Sequence, residues 1–234
     1  MIYPLESELV PWIGADELAA IELDSEWRVD EIHRCKEEPW YWLVNYVWSI
    51  RKDEFTEEGR PQPLRFPPKE HLRIVFDRCF REPKLVIDKS RQMTLSWIMM
   101  AYLLWWGQFH SFEEIVVQTK KEADAEALVW RAQFMYESQR SWMKPKSEFR
   151  AGKGGKLSFP GNKSWLLGLP GGVGAGDQVR SKNPSRYFLD EGAFVDEFED
   201  CRTNSEACCQ DIKIVSTANP GEFAALVHDR LGEN

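Results

Sequence analysis

Two adjacent carboxylates follow an apolar run in the segment RYFLDEGAF. Asp190 and Glu191 therefore stand where a buried strand is predicted to end. A carboxylate in that place can hold a divalent cation through water, and its neighbour can polarise a water molecule for attack on a phosphate group. Adjacent acids also occur in ordinary turns. The elements around the pair must therefore decide whether it is a functional site or an ordinary turn.

A second candidate for phosphate chemistry is the segment KSRQMTLS, residues 89–96, between the apolar run KLVID and a helical run. A turn from strand to helix presents backbone N–H groups to an anion, although most such turns bind nothing. The usual loop, G-x-x-x-x-G-K-[ST], places a lysine on the phosphates and a hydroxyl on Mg²⁺. Aligned to it, Ser96 keeps its type, whereas Thr94 replaces the glycine and Leu95 the lysine. Lys89, at the first position, is the only lysine of the segment.

Polar side chains also end a third apolar run, IKIVSTANP, at Ser216, Thr217 and Asn219. These groups could sense the γ-phosphate, although Asn-Pro is also an ordinary turn signal. The three signals come in a consistent order, each at the predicted C-terminal end of a strand. Parallel strands bring those ends to one edge of a sheet, where α/β proteins bind ligands. Together the three segments predict a nucleotide site.

The elements that must hold these residues alternate between strand and helix from Leu72 onward. KLVIDK and EIVVQT each precede a helical run, and RYFLDE and IKIVSTA follow later. The alternation predicts an α/β fold, with a P-loop type parallel sheet flanked by helices. Gly161-Asn162, between two short strand candidates, predicts an inserted hairpin. The glycine-rich LPGGVGAGDQVRS has no helical pattern after it and is expected to be a loop.

Residues 1–65 are predicted to form a small helical lid and linker subdomain in front of the ATPase-type core at 66–234. ADELAAIELDSEWRVDEIHRCKEEPWYWLVNYVWSI has apolar residues at three- and four-residue spacings, broken near Pro39. That pattern indicates two or three short helices. The charged, proline-rich RKDEFTEEGRPQPLRFPPKEH that follows is typical of a linker.

Composition excludes several other classes of protein. The longest apolar stretch is too short for a bilayer and the N-terminus is unlike a signal peptide, so we expect a cytoplasmic protein with no membrane partner. The 5 cysteines show no metal-binding or disulfide spacing. The net charge of −8 argues against a protein that coats polyanions, so any DNA contact must be local.

One basic stretch, KPKSEFRAGKGGK, interrupts this acidic chain. A solvated loop is the simple interpretation, and a local DNA contact is the alternative. The candidate DNA contacts are Lys144, Lys146, Arg150, Lys153 and Lys156.

The order PWYWLVNYVWSI, a proline-rich link, KSRQMTLS, FLDEGAF and STANP resembles the ATPase domain of phage large terminase subunits over most of the chain. The resemblance implies that KSRQMTLS is the Walker A element, that Asp190 and Glu191 form Walker B, and that STAN is the coupling motif. Some members of that family place the lysine at the start of the loop, which makes Lys89 the candidate here. The implied core is of the ASCE, RecA-like class, with the coupling strand between the Walker A and Walker B strands.

The resemblance also implies a role for each residue of these motifs. Glu191, Lys89 and Arg91 would be catalytic, and Ser96 and Asp190 would hold Mg²⁺. ATP would bind along Lys89, Ser90, Arg91, Gln92, Met93, Thr94, Leu95 and Ser96. Hydrolysis would be coupled to movement through Ser216, Thr217, Ala218 and Asn219. Arg180, in the glycine-rich segment, is the candidate for an arginine that acts in trans, with a plain surface arginine as the alternative.

In that family the domain hydrolyses ATP to move double-stranded DNA into a procapsid. The implied partners are DNA, the portal protein, the small terminase subunit and further copies of the chain in a ring, in the host cytoplasm at the procapsid portal. The C-terminal nuclease of a complete large terminase is expected to be absent from this chain. Two alternatives stay open: a helicase-like nucleic-acid ATPase, and a catalytically impaired nucleotide-binding module with an altered Walker A element.

Overall fold

Helices and strands alternate along most of the computed structural model. It describes residues 13–55, 61–90, 94–172, 174–217 and 221–231. For residues 51–55, 61 and 62 it describes the backbone but not the side chains. The N-terminal part contains α1 (Ala15–Leu23), α2 (Ser25–Glu37), α3 (Pro39–Tyr46), β1 (Trp48–Phe55) and β2 (Pro61–Arg65). The middle part contains α4 (Glu70–Arg81), β3 (Lys84–Lys89), α5 (Leu95–Phe109), β4 (Glu114–Thr119), α6 (Glu122–Glu137), β5 (Glu148–Arg150), β6 (Lys156–Phe159) and β7 (Ser164–Pro170). The C-terminal part contains α7 (Ala175–Lys182), β8 (Arg186–Asp190), α8 (Phe198–Cys208), β9 (Asp211–Thr217) and α9 (Glu222–Leu231).

Within the described residues, a 7-stranded sheet has the order β3-β9-β8-β4-β7-β6-β5. Strands β3, β9, β8, β4 and β7 run parallel, and β6 and β5 continue the sheet in antiparallel pairing. The predicted α/β fold with a parallel sheet is confirmed, and β9 lies between β3 and β8 as expected of a coupling strand. β6 and β7 form the hairpin that was predicted around Gly161-Asn162.

The central strands have apolar side chains on both faces because both faces of the sheet are covered. On β4, Ile115 and Val117 pack into one core with α5 and α6, whereas Val116 packs into a second core with α7 and α8. Parallel strands of this kind carry continuous apolar runs, since alternate side chains enter two different cores. EIVVQT therefore has apolar residues on both faces, and in IKIVST the cation Lys213 is buried.

Three short helices precede the sheet, as the spacing of apolar residues predicted. α3 begins at Pro39, which suits the first turn of a helix because that turn has no partner for its N–H groups. Trp42 is fully buried and its indole N–H donates to Gln139 Oε1 at 3.2 Å. The helices are thereby fixed to the same core as α5.

The segment predicted to be a linker instead forms a two-stranded antiparallel sheet, in which β1 pairs with β2. Trp48 lies opposite Arg65, and Ile50 lies opposite Pro63. A proline is tolerated here because each strand of a two-stranded sheet keeps one edge that needs no ladder donor. The prolines that suggested a linker are thus compatible with a strand.

A second prediction was wrong at the glycine-rich segment, because its second half forms helix α7. Ala175 and Val179 are buried on one face of this helix, at the four-residue spacing that brings side chains together. A Cβ atom at Gly176 would lie 2.5 Å from Asn204 Nδ2, so this glycine allows α7 to pack against α8. Gly176 is therefore needed for the packing of α7 against α8. Because glycine is unfavourable inside a helix, its presence hid the helical pattern in the sequence.

No helix among the described residues is long and apolar enough to cross a membrane.

Buried charged side chains form a network at the start of β8 and β9. This is the opposite end of the strands from Asp190. Arg186 Nη1 pairs with Asp211 Oδ2, and Arg186 Nε lies 3.1 Å from Glu113 Oε2. Lys213 Nζ lies 2.7 Å from Asp211 Oδ1, and its side chain is 0% exposed. Tyr102 donates its hydroxyl proton to Asp211. Asp211 is therefore the shared counter-ion of two cations that have little access to water.

We expect Asp211→Asn to lower the free energy of unfolding by about 3 to 5 kcal/mol, because it removes the carboxylate charge that pairs with the buried Lys213, whereas Arg186 keeps Glu113. Urea denaturation followed by circular dichroism measures the change. Asp77→Asn is the control, since Asp77 is exposed and lies 3.9 Å from Arg73 within α4. An exposed pair of that kind contributes about 1 kcal/mol or less. Equal effects of the two variants would contradict a special role of the network.

Candidate functional site

A cavity of about 570 Å³ opens where the C-terminal ends of β3, β9, β8 and β4 meet. Of the residues singled out in the sequence, it is lined by Lys89, Ser96, Asp190, Glu191 and Thr217. The sheet therefore brings residues of all three predicted motifs to one place.

A hydrogen bond joins the loop 89–96 to the end of β8. Ser96, in the first turn of α5, donates its hydroxyl proton to Asp190 Oδ2 at 2.8 Å. Asp190 is the last residue of β8 and is 5% exposed. Burial raises the pKa of Asp190, while the Ser96 hydrogen bond and the charge of Lys89 act in the opposite direction. A hydroxyl and a carboxylate thus converge at the wall of the cavity.

Lys89 forms an ion pair with Glu191. The Nζ to Oε1 distance is 3.0 Å, the Lys89 side chain is 8% exposed and the Glu191 side chain is 36% exposed. Lys89 ends β3 and Glu191 follows β8, so the lysine reaches across the end of β9, which lies between them. The backbone of Glu191 has φ 54°, a left-handed conformation that is strained for a residue other than glycine. The site residue Glu191 is thus held by its turn and by Lys89.

The end of β9 contacts the turn that follows Glu191. Ser216 is buried and its Oγ accepts a hydrogen bond of 3.0 Å from the backbone N–H of Ala193. Thr217 comes next and lines the cavity. Ala218 and Asn219, the other residues of the predicted coupling motif, lie outside the described part of the chain.

The structure describes both ends of the loop 89–96. Ser90 is exposed, and Arg91, Gln92 and Met93 lie outside the described residues. Thr94 has φ 61° and ψ 9° immediately before α5. The chain therefore adopts the left-handed conformation at the position where the usual loop has glycine. Leu95 is 2% exposed and packs in the core with α5, so its side chain does not line the cavity.

The donors at this site fit Mg²⁺. That ion prefers oxygen ligands and is usually held by one or two carboxylates together with substrate phosphates and water. The hydroxyl of Ser96 and the carboxylate of Asp190 are such donors. Within the described residues there is no cluster of three or more histidine, cysteine, aspartate or glutamate side chains that could hold a metal by itself. A divalent ion at this site would therefore depend on phosphate as well.

Several residues of the cavity were not singled out in the sequence. They come from the end of β4 and from α6: Thr119, Lys120, Lys121, Asp124 and Arg131, with Phe194 from the turn after β8. The strand-end argument used for the other motifs would have indicated Thr119 to Lys121, since EIVVQT is an equally apolar run. Nothing in the sequence alone indicates which face of α6 turns Arg131 to the cavity.

Two sets of predicted residues are not part of this cavity. Arg180 is exposed on α7 and does not line the cavity within its own chain. The basic stretch lies on and around β5 and β6, at the end of the sheet farthest from β3. Lys144 is held there by a 2.9 Å hydrogen bond to the backbone oxygen of Glu137.

Solved structures of phage large terminases share this fold. The large terminase of bacteriophage HK97 superposes with a TM-score of 0.56 and 14% identity, over 82% of this chain and 40% of that chain. The large terminase of the thermophilic bacteriophage D6E superposes with a TM-score of 0.53 and 14% identity, over 70% of this chain and 43% of that chain. The D6E protein in complex with ADP gives a TM-score of 0.50 and 16% identity, over 66% and 39% of the two chains. No protein-family model and no curated protein sequence matches the chain.

The resemblance to large terminases that the motifs indicated is therefore confirmed in the fold. The chain spans about 40% of the length of the HK97 protein and 43% of the D6E protein.

We expect Thr94→Gly to raise the free energy of unfolding by about 1 kcal/mol. A left-handed conformation costs about 1–2 kcal/mol for an L-residue, and glycine avoids this at the expense of a larger loss of chain entropy. Urea denaturation measures the change. Thr94→Ala is the matched control, because it removes the hydroxyl and methyl groups that Thr94→Gly also removes but keeps the Cβ atom. A Thr94→Gly protein less stable than Thr94→Ala would show that the left-handed backbone is not strained.

Proposed function

We propose that the chain is the Mg²⁺-dependent ATP-hydrolysing motor domain of a viral large terminase. The observation that carries this proposal is the 2.8 Å hydrogen bond between Ser96 and Asp190. It places the hydroxyl of the loop beside the carboxylate that ends the neighbouring apolar strand, although the loop has neither the glycine nor the lysine of the usual pattern. The shared fold supports the same function.

In this proposal the phosphates of ATP lie along residues 89–96 at the start of α5. Backbone N–H groups at the beginning of a helix favour an anion there. Ser96 and Asp190 would hold Mg²⁺, which when bound neutralises charge on the β- and γ-phosphates. Arg91, which lies outside the described residues, keeps its proposed place in the loop.

Glu191 orients the attacking water in this mechanism. The water oxygen attacks the γ-phosphorus in line with the bridging oxygen, and the bond from that oxygen to the γ-phosphorus breaks. ADP leaves with the bonding electron pair, and the water proton passes to Glu191 and then to the phosphate product. Lys89 pairs with Glu191 in the structure. A phosphate group in the cavity would compete for Lys89, which would leave Glu191 free to accept the proton.

Ser216 would report the loss of the γ-phosphate. Its hydroxyl already holds the turn after Glu191 through Ala193 N–H, so a shift of that turn would be passed to the end of β9. Thr217, Ala218 and Asn219 would carry the shift into the following segment. This is how hydrolysis would be coupled to movement.

Double-stranded DNA, the portal protein, the small terminase subunit and further copies of the chain in a ring are the proposed partners, at the procapsid portal in the host cytoplasm. A local feature supports a DNA contact on β5 and β6. Arg150 lies directly opposite Lys156, and like charges in that position are unfavourable unless an anion lies near them. Lys146 and Lys153 are exposed on the same stretch. Arg180, exposed on α7, would act on a neighbouring subunit.

We expect Glu191→Gln to bind ATP with nearly unchanged affinity and to turn it over at least ~10²-fold more slowly, the usual loss when a positioned base is removed. Phosphate release and nucleotide binding are measured on the same preparation. Glu114→Gln is the control, because Glu114 is exposed at the start of β4, away from the cavity. Near-normal turnover by Glu191→Gln would remove Glu191 from the mechanism. A wild-type chain that binds ATP without turnover would favour an impaired nucleotide-binding module.

We expect Lys89→Ala to lower turnover by about 10²- to 10³-fold, the range for loss of one preorganised donor to a developing phosphoryl charge. Lys84→Ala is the matched control, since Lys84 begins the same strand, is exposed and lies 3.8 Å from Glu206. Steady-state hydrolysis and nucleotide affinity are the measurements. Wild-type values for Lys89→Ala would mean that the phosphates are held without Lys89.

A further inference from the structure

Arg131 is a cation in the cavity that has no ion-pair or hydrogen-bond partner among the described residues. It extends from α6 into the cavity that also contains Asp190, Ser96 and Lys89. Among the residues that the structure describes, no carboxylate lies within ion-pair distance of Arg131 and no side chain or backbone oxygen accepts a hydrogen bond from it. Lys89, by contrast, is already paired with Glu191.

The surroundings of Arg131 make this lack of a partner unfavourable. Burial lowers the pKa of Arg131, while the more distant charges of Asp190 and Asp124 act in the opposite direction. The guanidinium carbon lies 5.7 Å from the centre of the Trp97 ring, which covers one side of the group. A partly desolvated guanidinium retains its charge and its N–H donors. It therefore favours an anion that enters the cavity.

The position of Arg131 indicates which part of a nucleotide it would meet. Arg131 lies over the ring of Trp97 on α5 and lines the same cavity as Ser96 and Asp190. The loop 89–96 approaches the cavity from β3, whereas α6 approaches it from beyond β4, on the other side of β8. Phosphates that begin at the loop would therefore point their free end toward α6.

The usual phosphate-binding loop has a lysine at the position of residue 95, and this chain has no cation there. Leu95 stands there and is buried in the core. The exposed Lys120 and Lys121 lie at the rim of the cavity. Arg131 is thus a less exposed cation on the α6 side of the cavity.

We propose that Arg131 binds the terminal phosphate of ATP from the α6 side of the cavity, with its two outer nitrogens on phosphate oxygens. This inference rests on the proposed function. A guanidinium suits the task because its planar set of donors matches two oxygens of one phosphate, whereas a lysine offers only a point charge. Since ADP lacks the terminal phosphate, Arg131 would distinguish ATP from ADP.

The test compares the affinities of Arg131→Ala for ADP and for a non-hydrolysable ATP analogue, with Mg²⁺, against those of the wild-type chain. Loss of a hydrogen-bonded charged contact should weaken the analogue by about 10- to 100-fold while ADP changes by less than about 3-fold. Turnover should fall by about 10²-fold or more. Arg131→Lys keeps most of the packing and should still lose part of the preference for the analogue.

Arg140→Ala is the charge-matched control, because Arg140 is exposed beyond the end of α6 and pairs with Glu22 at 3.1 Å. It should leave both affinities unchanged. Equal losses for ADP and the analogue in both Arg131 variants, or no loss in either, would overturn the inference. A wild-type chain that binds no ATP would instead refute the proposed function, and the two failures are therefore distinguishable.

Discussion

The hydrogen bond between Ser96 and Asp190 is the contact on which the rest of the site depends. A carboxylate as buried as Asp190 needs a donor, and the donor comes from a helix that begins after a different strand. The two residues meet only because β3 and β8 flank β9 in the same parallel direction. The apolar runs that enter two cores keep those strands in that order, and so the packing of the sheet fixes the chemistry at its edge.

The fold could be predicted from the sequence because each central element carries its own local signal. EIVVQT and RYFLD each contain three consecutive apolar residues, and polar residues follow these runs. Local signals failed where a neighbouring element decides the structure. Gly176 is a glycine because α8 lies against it, and this concealed α7. Pro63 suggested a linker because no pattern shows that β1 lies beside it. Arg131 was missed for the same reason, since the face of α6 that meets the cavity depends on the sheet beneath.

The site also departs from regular backbone in two places. Thr94 and Glu191 both adopt left-handed conformations, one at the start of α5 and one just after β8. Such conformations persist where the surrounding structure determines them, and they direct a turn so that its side chains and N–H groups face a common point. In this chain both turns border the cavity. Residue 94 is thus a threonine in a backbone conformation that glycine adopts more readily.

The buried charges at the start of β9 give this strand an anchored end. Lys213 has no exposed surface and, besides Asp211, its Nζ donates to the backbone oxygens of Glu82 and Pro83. These contacts fix the start of β9. At the other end, Ser216 Oγ accepts a hydrogen bond from the turn after Glu191. Between the two ends β9 is paired with β3 and β8, so the strand is held along its whole length. A shift of the turn after Glu191 would therefore reach the end of β9 through the Ser216 hydroxyl, because the strand itself cannot slide.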